Sequence, residues 1–132
     1  MPDAASELVK HGIRPSSQRV AVARYALDTH DHPTADEVFA RVKRSCPGIS
    51  RATIYNTLNL FVDKGLLARH TLSGGNVVYD CVVAPHHHLV DEETGRIHDI
   101  PWEALTVGRI ARLPGFEVKG YQVVLRGRRT KE

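Results

Sequence analysis

Residues 50–83 begin Ser50-Arg51-Ala52-Thr53-Ile54-Tyr55-Asn56-Thr57-Leu58 and continue through Phe61-Val62-Asp63-Lys64-Gly65. They end Leu67-Ala68-Arg69-His70-Thr71-Leu72, Ser73-Gly74-Gly75-Asn76, Val77-Val78-Tyr79-Asp80-Cys81-Val82-Val83. The hydrophobic period changes inside this stretch. Ile54, Leu58, Phe61 and Val62 recur at helical spacing after a capping Ser50, and Gly65 closes the helix at about Lys64. From Leu67 the pattern is strand-like on both sides of a Gly-Gly-Asn turn, whose residues accept positive φ. A helix feeding a β-hairpin, preceded by further short helices, is the order of a winged helix. In that layout the Ser50–Lys64 helix enters the major groove and the hairpin tip is the wing.

The preceding residues supply those helices. Asp3 to His11 reads as a short helix ended at Gly12, and Gly12-Ile13-Arg14-Pro15 as a turn. Ser16 or Ser17 caps a second helix carrying Val20, Ala23 and Tyr25-Ala26-Leu27, which breaks at Thr29-His30-Asp31-His32-Pro33. Thr34-Ala35-Asp36-Glu37 is a capping box opening a third helix with Val38, Phe39 and Val42 inward. Cys46-Pro47-Gly48 stops it. Beyond Val83 the chain reads differently: Arg96–Ile100 as a short strand, Pro101-Trp102-Glu103 to about Arg112 as a helix, and Phe116–Val118 and Tyr121–Leu125 as strands. A boundary therefore falls near Val83–Pro85, dividing residues 1–83 from 84–132.

The fold class is α+β. At 132 residues, with 42% hydrophobic and 25% charged, the chain has the composition of an ordinary globular protein. No apolar run approaches the roughly 20 residues of a membrane helix. Met1–Glu7 carries acids and no apolar segment, which argues against a signal peptide and for a cytoplasmic protein. Cys46 and Cys81 stand alone without a Cys-x-x-Cys, which argues against a disulfide framework and a thiolate zinc site. The net charge of +3 is compatible with nucleic acid but does not by itself demand it.

The densest chemistry lies between Asp80 and Asp99, where His86-His87-His88 and His98 hold four of the eight histidines. Imidazole with carboxylate suits a borderline divalent ion such as Fe²⁺, Mn²⁺ or Zn²⁺. If the run is extended, His86 and His88 project from one face as a bidentate half-site, and His87 from the other, towards solvent or behind the ligands. Asp80, Asp99 and an N-terminal histidine are candidates for the rest of the sphere. Asp91, Glu92 and Glu93 read as a solvated turn, His98 as outward, and Cys81 as facing away from the metal. On the Ser50–Lys64 helix, Arg51, Thr53, Tyr55, Asn56 and Asn59 form the exposed face. Arginine and asparagine read base edges. Lys10, Arg14 and Arg19 would contact phosphate.

Four segments resemble the ferric uptake regulator (Fur) family of bacterial metal-dependent repressors. They are Gly12–Arg19, His32–Val38, Ser50–Leu58, and Tyr79-Asp80 with His86-His87-His88. The resemblance implies a winged-helix DNA-binding half over residues 1–83 and a small α/β dimerisation and metal-sensing half over 84–132. It implies a homodimer on double-stranded DNA, at an A/T-rich pseudo-palindrome, with no membrane partner. It implies a regulatory metal held by His32, Asp80, His86, His88 and Asp99, with Fe²⁺ or Mn²⁺ as the ion and Zn²⁺ as a substitute in vitro. Iron-sensing members usually carry Glu where Asp80 stands. Aspartate there points to the peroxide-response (PerR-like) branch, in which bound Fe²⁺ reacts with hydrogen peroxide and a ligand histidine, here His32 or His86, gains oxygen.

The sequence also departs from the family. The first structural-zinc Cys-x-x-Cys would fall at Asp91 and Thr94 and the second in the C-terminal tail; neither is present. No structural zinc site is expected. Members lacking those cysteines include the haem-answering iron-response regulators (Irr), so an iron- or haem-responsive repressor of the same fold is the alternative reading. A mononuclear metalloenzyme is a third, disfavoured because five protein ligands leave little room for substrate and no His-Glu-x-x-His helix is present.

Overall fold

The computed structural model describes residues 3–131. Met1, Pro2 and Glu132 lie outside the described residues, and with them the start of the segment whose composition argues against a signal peptide. The chain divides into two compact units, Met1–Val83 and Ala84–Glu132.

The first unit is helical up to Asp63, with α1 Ala4–Lys10, α2 Ser17–Ala26, α3 Ala35–Val42 and α4 Arg51–Asp63. Asp3, Ser16, Thr34 and Ser50 each accept from the backbone N–H three residues on, satisfying a donor the helix cannot. The capping box forms in both directions: Thr34 Oγ1 accepts from Glu37 N at 3.2 Å and Glu37 Oε1 from Thr34 N at 3.0 Å. Leu8, Val22, Val38, Ile54, Leu58 and Phe61 are wholly buried and form the centre of the core. The 4-3 spacing of Ile54, Leu58 and Phe61 puts all three on the inner face of α4.

Strands β1 (Ala68–Thr71) and β2 (Val77–Asp80) form the antiparallel hairpin, with Ala68 opposite Asp80 and His70 opposite Val78. Gly74 and Gly75, at φ 65 and 78, make its turn. Strand β2 is shorter than the sequence pattern predicts. It stops at Asp80 rather than Val83 because the Asp80 carboxylate accepts the Val82 N–H at 2.9 Å and turns the backbone.

The second unit is a three-stranded sheet in the order β4-β3-β5, with β3 His87–Asp91, β4 Ile97–Ile100 and β5 Val124–Gly127. β4 runs antiparallel to β3 and β5 parallel to it. Parallel pairing requires a long crossover, which residues 101–123 provide. The helix expected over this crossover does not form. Two 3₁₀ turns, Trp102–Ala104 and Ile110–Arg112, stand in its place. Thr106-Val107-Gly108 is a poor helix interior, and Arg109 adopts φ 63, which no α-helix accommodates. The strand expected at Phe116–Val118 is also absent, and the last strand begins at Val124 rather than Tyr121.

Asp91 is buried rather than solvated. It closes the β3–β4 turn, accepting from Glu93 N at 2.9 Å and Thr94 N at 3.4 Å through Oδ1, while Gly95 N donates to its carbonyl at 2.8 Å. A carboxylate and three N–H donors thus shape the turn where the family resemblance places a zinc-binding Cys-x-x-Cys. The Glu93 N–H holds the Asp91 carboxyl below the usual carboxylate range; burial opposes this, and Thr94 and Arg129 add to it. A depressed folded pKa stabilises the protein above the unfolded value near ~3.9 and stops doing so as pH falls through the folded pKa. Asp91→Ala should therefore lower Tm at pH 6, and the gap from the parent should shrink below about pH 4 in chelator-treated samples. A gap independent of pH would contradict this account of the turn.

Candidate metal centre

In the first unit, His32 and Asp80 meet. The two are far apart in sequence, but the Tyr79 N–H donates to the Pro33 carbonyl at 2.9 Å and fastens the α2–α3 loop against β2. His32 has φ 53, a left-handed backbone that costs a non-glycine residue about 1 kcal/mol. That cost turns its ring inward, and Nε2 lies 3.5 Å from Asp80 Oδ2, with the two side chains 2% and 1% exposed. An ionised carboxylate this buried requires a cationic or metal partner. His70, on β1, approaches the same oxygen at 3.4 Å.

In the second unit, His86, His88 and Asp99 meet. His88 lies directly opposite Asp99 across the β3–β4 ladder, and His86 projects from the same side two residues earlier. Their rings are 4.6 Å apart, edge to face. His86 Nε2 and His88 Nε2 stand 3.3 and 3.7 Å from Asp99 Oδ1.

The tautomers follow from the other ring nitrogens. His86 Nδ1 lies 2.8 Å from the Ala84 carbonyl, which can only accept, so Nδ1 carries the proton. His88 Nδ1 likewise faces Gln122 Oε1 at 3.1 Å. In the neutral ring each Nε2 then offers a lone pair towards Asp99, as a metal ligand must. Each unit thus presents imidazole nitrogen beside carboxylate oxygen, the donor chemistry that suits Fe²⁺, Mn²⁺ or Zn²⁺.

His87 is on the opposite face but is not towards solvent. It is wholly buried, stacked on Trp102 at 4.6 Å, and its Nδ1 accepts the Val123 N–H at 2.9 Å. It anchors the crossover to the sheet. Cys46 and Cys81 are free cysteines; the Cys81 sulfur lies 3.7 Å from His30 Nδ1. Two contributors were missed from sequence. Gln122 gave no signal, because only the β3–β5 pairing brings it to His88. His70 gave none either until the register was known: with Ala68 facing Asp80, strand alternation puts residue 70 on the same side.

The candidate nucleic-acid face lies on the first unit. Arg14, Arg19, Thr53 and Asn56 line one groove, joining the α1–α2 turn to α4. Tyr55 and Asn56 are exposed, as are Lys10 and Arg14. Arg51 is exposed too, paired with Asp36 and lying over the Phe39 ring. The Thr53 hydroxyl bonds the capping Ser50 hydroxyl at 2.9 Å, and Arg19 donates to the Arg14 carbonyl at 3.1 Å. Asn59 faces the hairpin rather than the groove: its Oδ1 accepts from Arg69 at 2.8 Å and from the Tyr79 hydroxyl at 3.2 Å. Burial raises the Tyr79 phenol pKa, partly offset by Arg69, so Tyr79 remains a donor at neutral pH.

Among the described residues no helix is long and apolar enough to cross a membrane. The sequence profile of the Ferric uptake regulator family matches residues 10–126. The peroxide-responsive repressor PerR of Staphylococcus aureus strain Mu50 is 33% identical over 129 residues, covering 96% of this chain and 87% of that protein. A solved structure of a zinc-bound manganese uptake regulator superposes with TM-score 0.75 at 33% identity, over 98% of this chain and all of that one. The Campylobacter jejuni peroxide stress regulator superposes with TM-score 0.69 at 25% identity, over 96% of this chain and 93% of that one. With this match and a winged-helix unit followed by a sheet unit rich in metal donors, the chain belongs to the ferric uptake regulator family of metal-responsive transcriptional regulators.

Proposed function

We propose that this protein is a cytoplasmic, homodimeric repressor that binds an A/T-rich pseudo-palindromic operator when metal-loaded and releases it on exposure to hydrogen peroxide. His32, Asp80, His86, His88 and Asp99 hold one ion, Fe²⁺ or Mn²⁺, with Zn²⁺ able to substitute in vitro. Residues 1–83 bind DNA and residues 84–132 dimerise and sense. The observation that carries this reading is Asp80, a carboxylate 1% exposed with two imidazoles directed at one of its oxygens. A buried aspartate at this point, rather than glutamate, is the feature that resembles the peroxide-sensing branch, and the similarity to PerR supports it.

Fe²⁺ held by these residues would supply the reducing electrons that turn hydrogen peroxide into an oxidant beside the imidazoles. The protein's own part is to hold those imidazoles. Ala84 and Gln122 fix the His86 and His88 tautomers, and the strained loop turns His32 inward. His32 and His86 are the residues that take oxygen, after which the donor set fails and the metal-favoured conformation is lost. On DNA, Arg51 and Asn56 read base edges, Tyr55 and Thr53 contact the groove wall, and Lys10, Arg14 and Arg19 hold phosphates.

The competing reading is a manganese-responsive regulator, favoured by the likeness to the manganese uptake regulator. The peroxide and manganese names of these relatives favour a bare ion over haem. Peptide mass spectrometry separates the two ion readings. The protein is loaded anaerobically with Fe²⁺ or Mn²⁺ and treated with hydrogen peroxide. One added oxygen on His32 or His86 in the iron sample alone is expected. Intact histidines in both samples would refute peroxide sensing and leave the manganese reading.

A further inference from the structure

The first unit contains a donor set that uses no residue beyond Asp80. On the hairpin, Ala68 faces Asp80, so His70 emerges on the same side one diagonal step away. Its Nε2 lies 3.4 Å from Asp80 Oδ2, and His32 Nε2 lies 3.5 Å from the same atom. The side chains of His32, His70 and Asp80 are 2%, 15% and 1% exposed. Asp80 Oδ1 accepts the Val82 N–H at 2.9 Å, which leaves Oδ2 as the oxygen directed at the imidazoles. Nitrogen and oxygen ligands at their usual lengths on a tetrahedral zinc stand roughly 3.4 Å apart. The two nitrogen-to-oxygen separations, 3.5 and 3.4 Å, match that value.

We propose that His32, His70 and Asp80 form a second cation site. It is a two-histidine, one-carboxylate triad within the winged-helix unit, taking a four-coordinate divalent ion such as Zn²⁺ or Co²⁺ with water as the fourth ligand. It shares His32 and Asp80 with the five-residue centre, so one ion excludes the other. Three protein ligands and an open position suit zinc. Five ligands of oxygen and imidazole suit Fe²⁺ and Mn²⁺. At this triad zinc would be held in a mode that leaves His86 and His88 unengaged, and its loading there would not require the second unit's donors.

The test uses the full chain with His86→Ala and His88→Ala together, titrated with Co²⁺. One equivalent should bind and give the intense visible bands of four-coordinate cobalt. Adding His70→Ala should weaken that binding at least about tenfold and remove the bands, since loss of a direct ligand exceeds the effect of removing its supporting partner. His70→Gln should do the same with the near-ultraviolet circular dichroism unchanged, which separates ligand loss from misfolding. No stoichiometric cobalt in the His86/His88 double variant, or undiminished binding after His70 substitution, would overturn the triad. The peroxide reading has its own readout, oxygen added to His32 or His86 in the iron-loaded parent protein, and stands or falls separately.

Discussion

Replacing His86 by alanine is expected to lower Mn²⁺ affinity of the full chain by at least about a hundredfold, because loss of a supporting partner alone costs up to that much. Metal-stimulated operator binding should disappear with it. His86 brings a lone pair already oriented by the Ala84 carbonyl, so alanine removes a donor whose orientation folding has fixed. The metal can favour the DNA-binding conformation only by the difference in its affinity for the two conformations, and that difference falls with each donor lost. Calorimetric titration with Mn²⁺ and fluorescence anisotropy of labelled operator measure the two effects. His87→Ala is the control. It removes the ring beneath Trp102 and lowers stability, yet it should leave one Mn²⁺ bound per chain. Metal-stimulated DNA binding retained by His86→Ala would sink the proposed centre.

Phe61→Ala should destabilise the first unit by about 3–5 kcal/mol, the usual cost of emptying an aromatic core position. Phe61 is wholly buried on the inner face of α4, and its carbonyl accepts from Leu66 N at 2.9 Å where the chain leaves the helix for the hairpin. Against a total stability of about 5–15 kcal/mol, this loss removes a large part of the fold's margin. Urea unfolding of the metal-free protein, followed by far-ultraviolet circular dichroism, gives the value. A loss below about 1 kcal/mol, typical of an average rather than a core substitution, would contradict the assigned core.

The four helices, the caps of the last three and the hairpin are legible in the amino-acid pattern, because these are local decisions. Asp3, Ser16, Thr34 and Ser50 each satisfy a donor three residues away, and Gly12 and Gly65 take the positive φ that ends a helix. Alternation along the His86-His87-His88 run likewise separated His86 and His88 from His87 before any pairing was known. The crossover differs from its local pattern because Pro101 to Arg112 has a favourable helix start but an interior that tertiary context overrides, giving 3₁₀ turns, with His87 stacked on Trp102.

What depends on register and long-range pairing is fixed by packing rather than by local pattern. The Ala68–Asp80 register brings His70 to Asp80, the Pro33–Tyr79 hydrogen bond brings His32 there, and the parallel β3–β5 pairing brings Gln122 to His88. Each of these joins residues far apart in the chain, by hydrogen bonds whose partners no local pattern specifies. The candidate donors could therefore be listed from the sequence, while their tautomers, their burial and the second imidazole at Asp80, His70, could not.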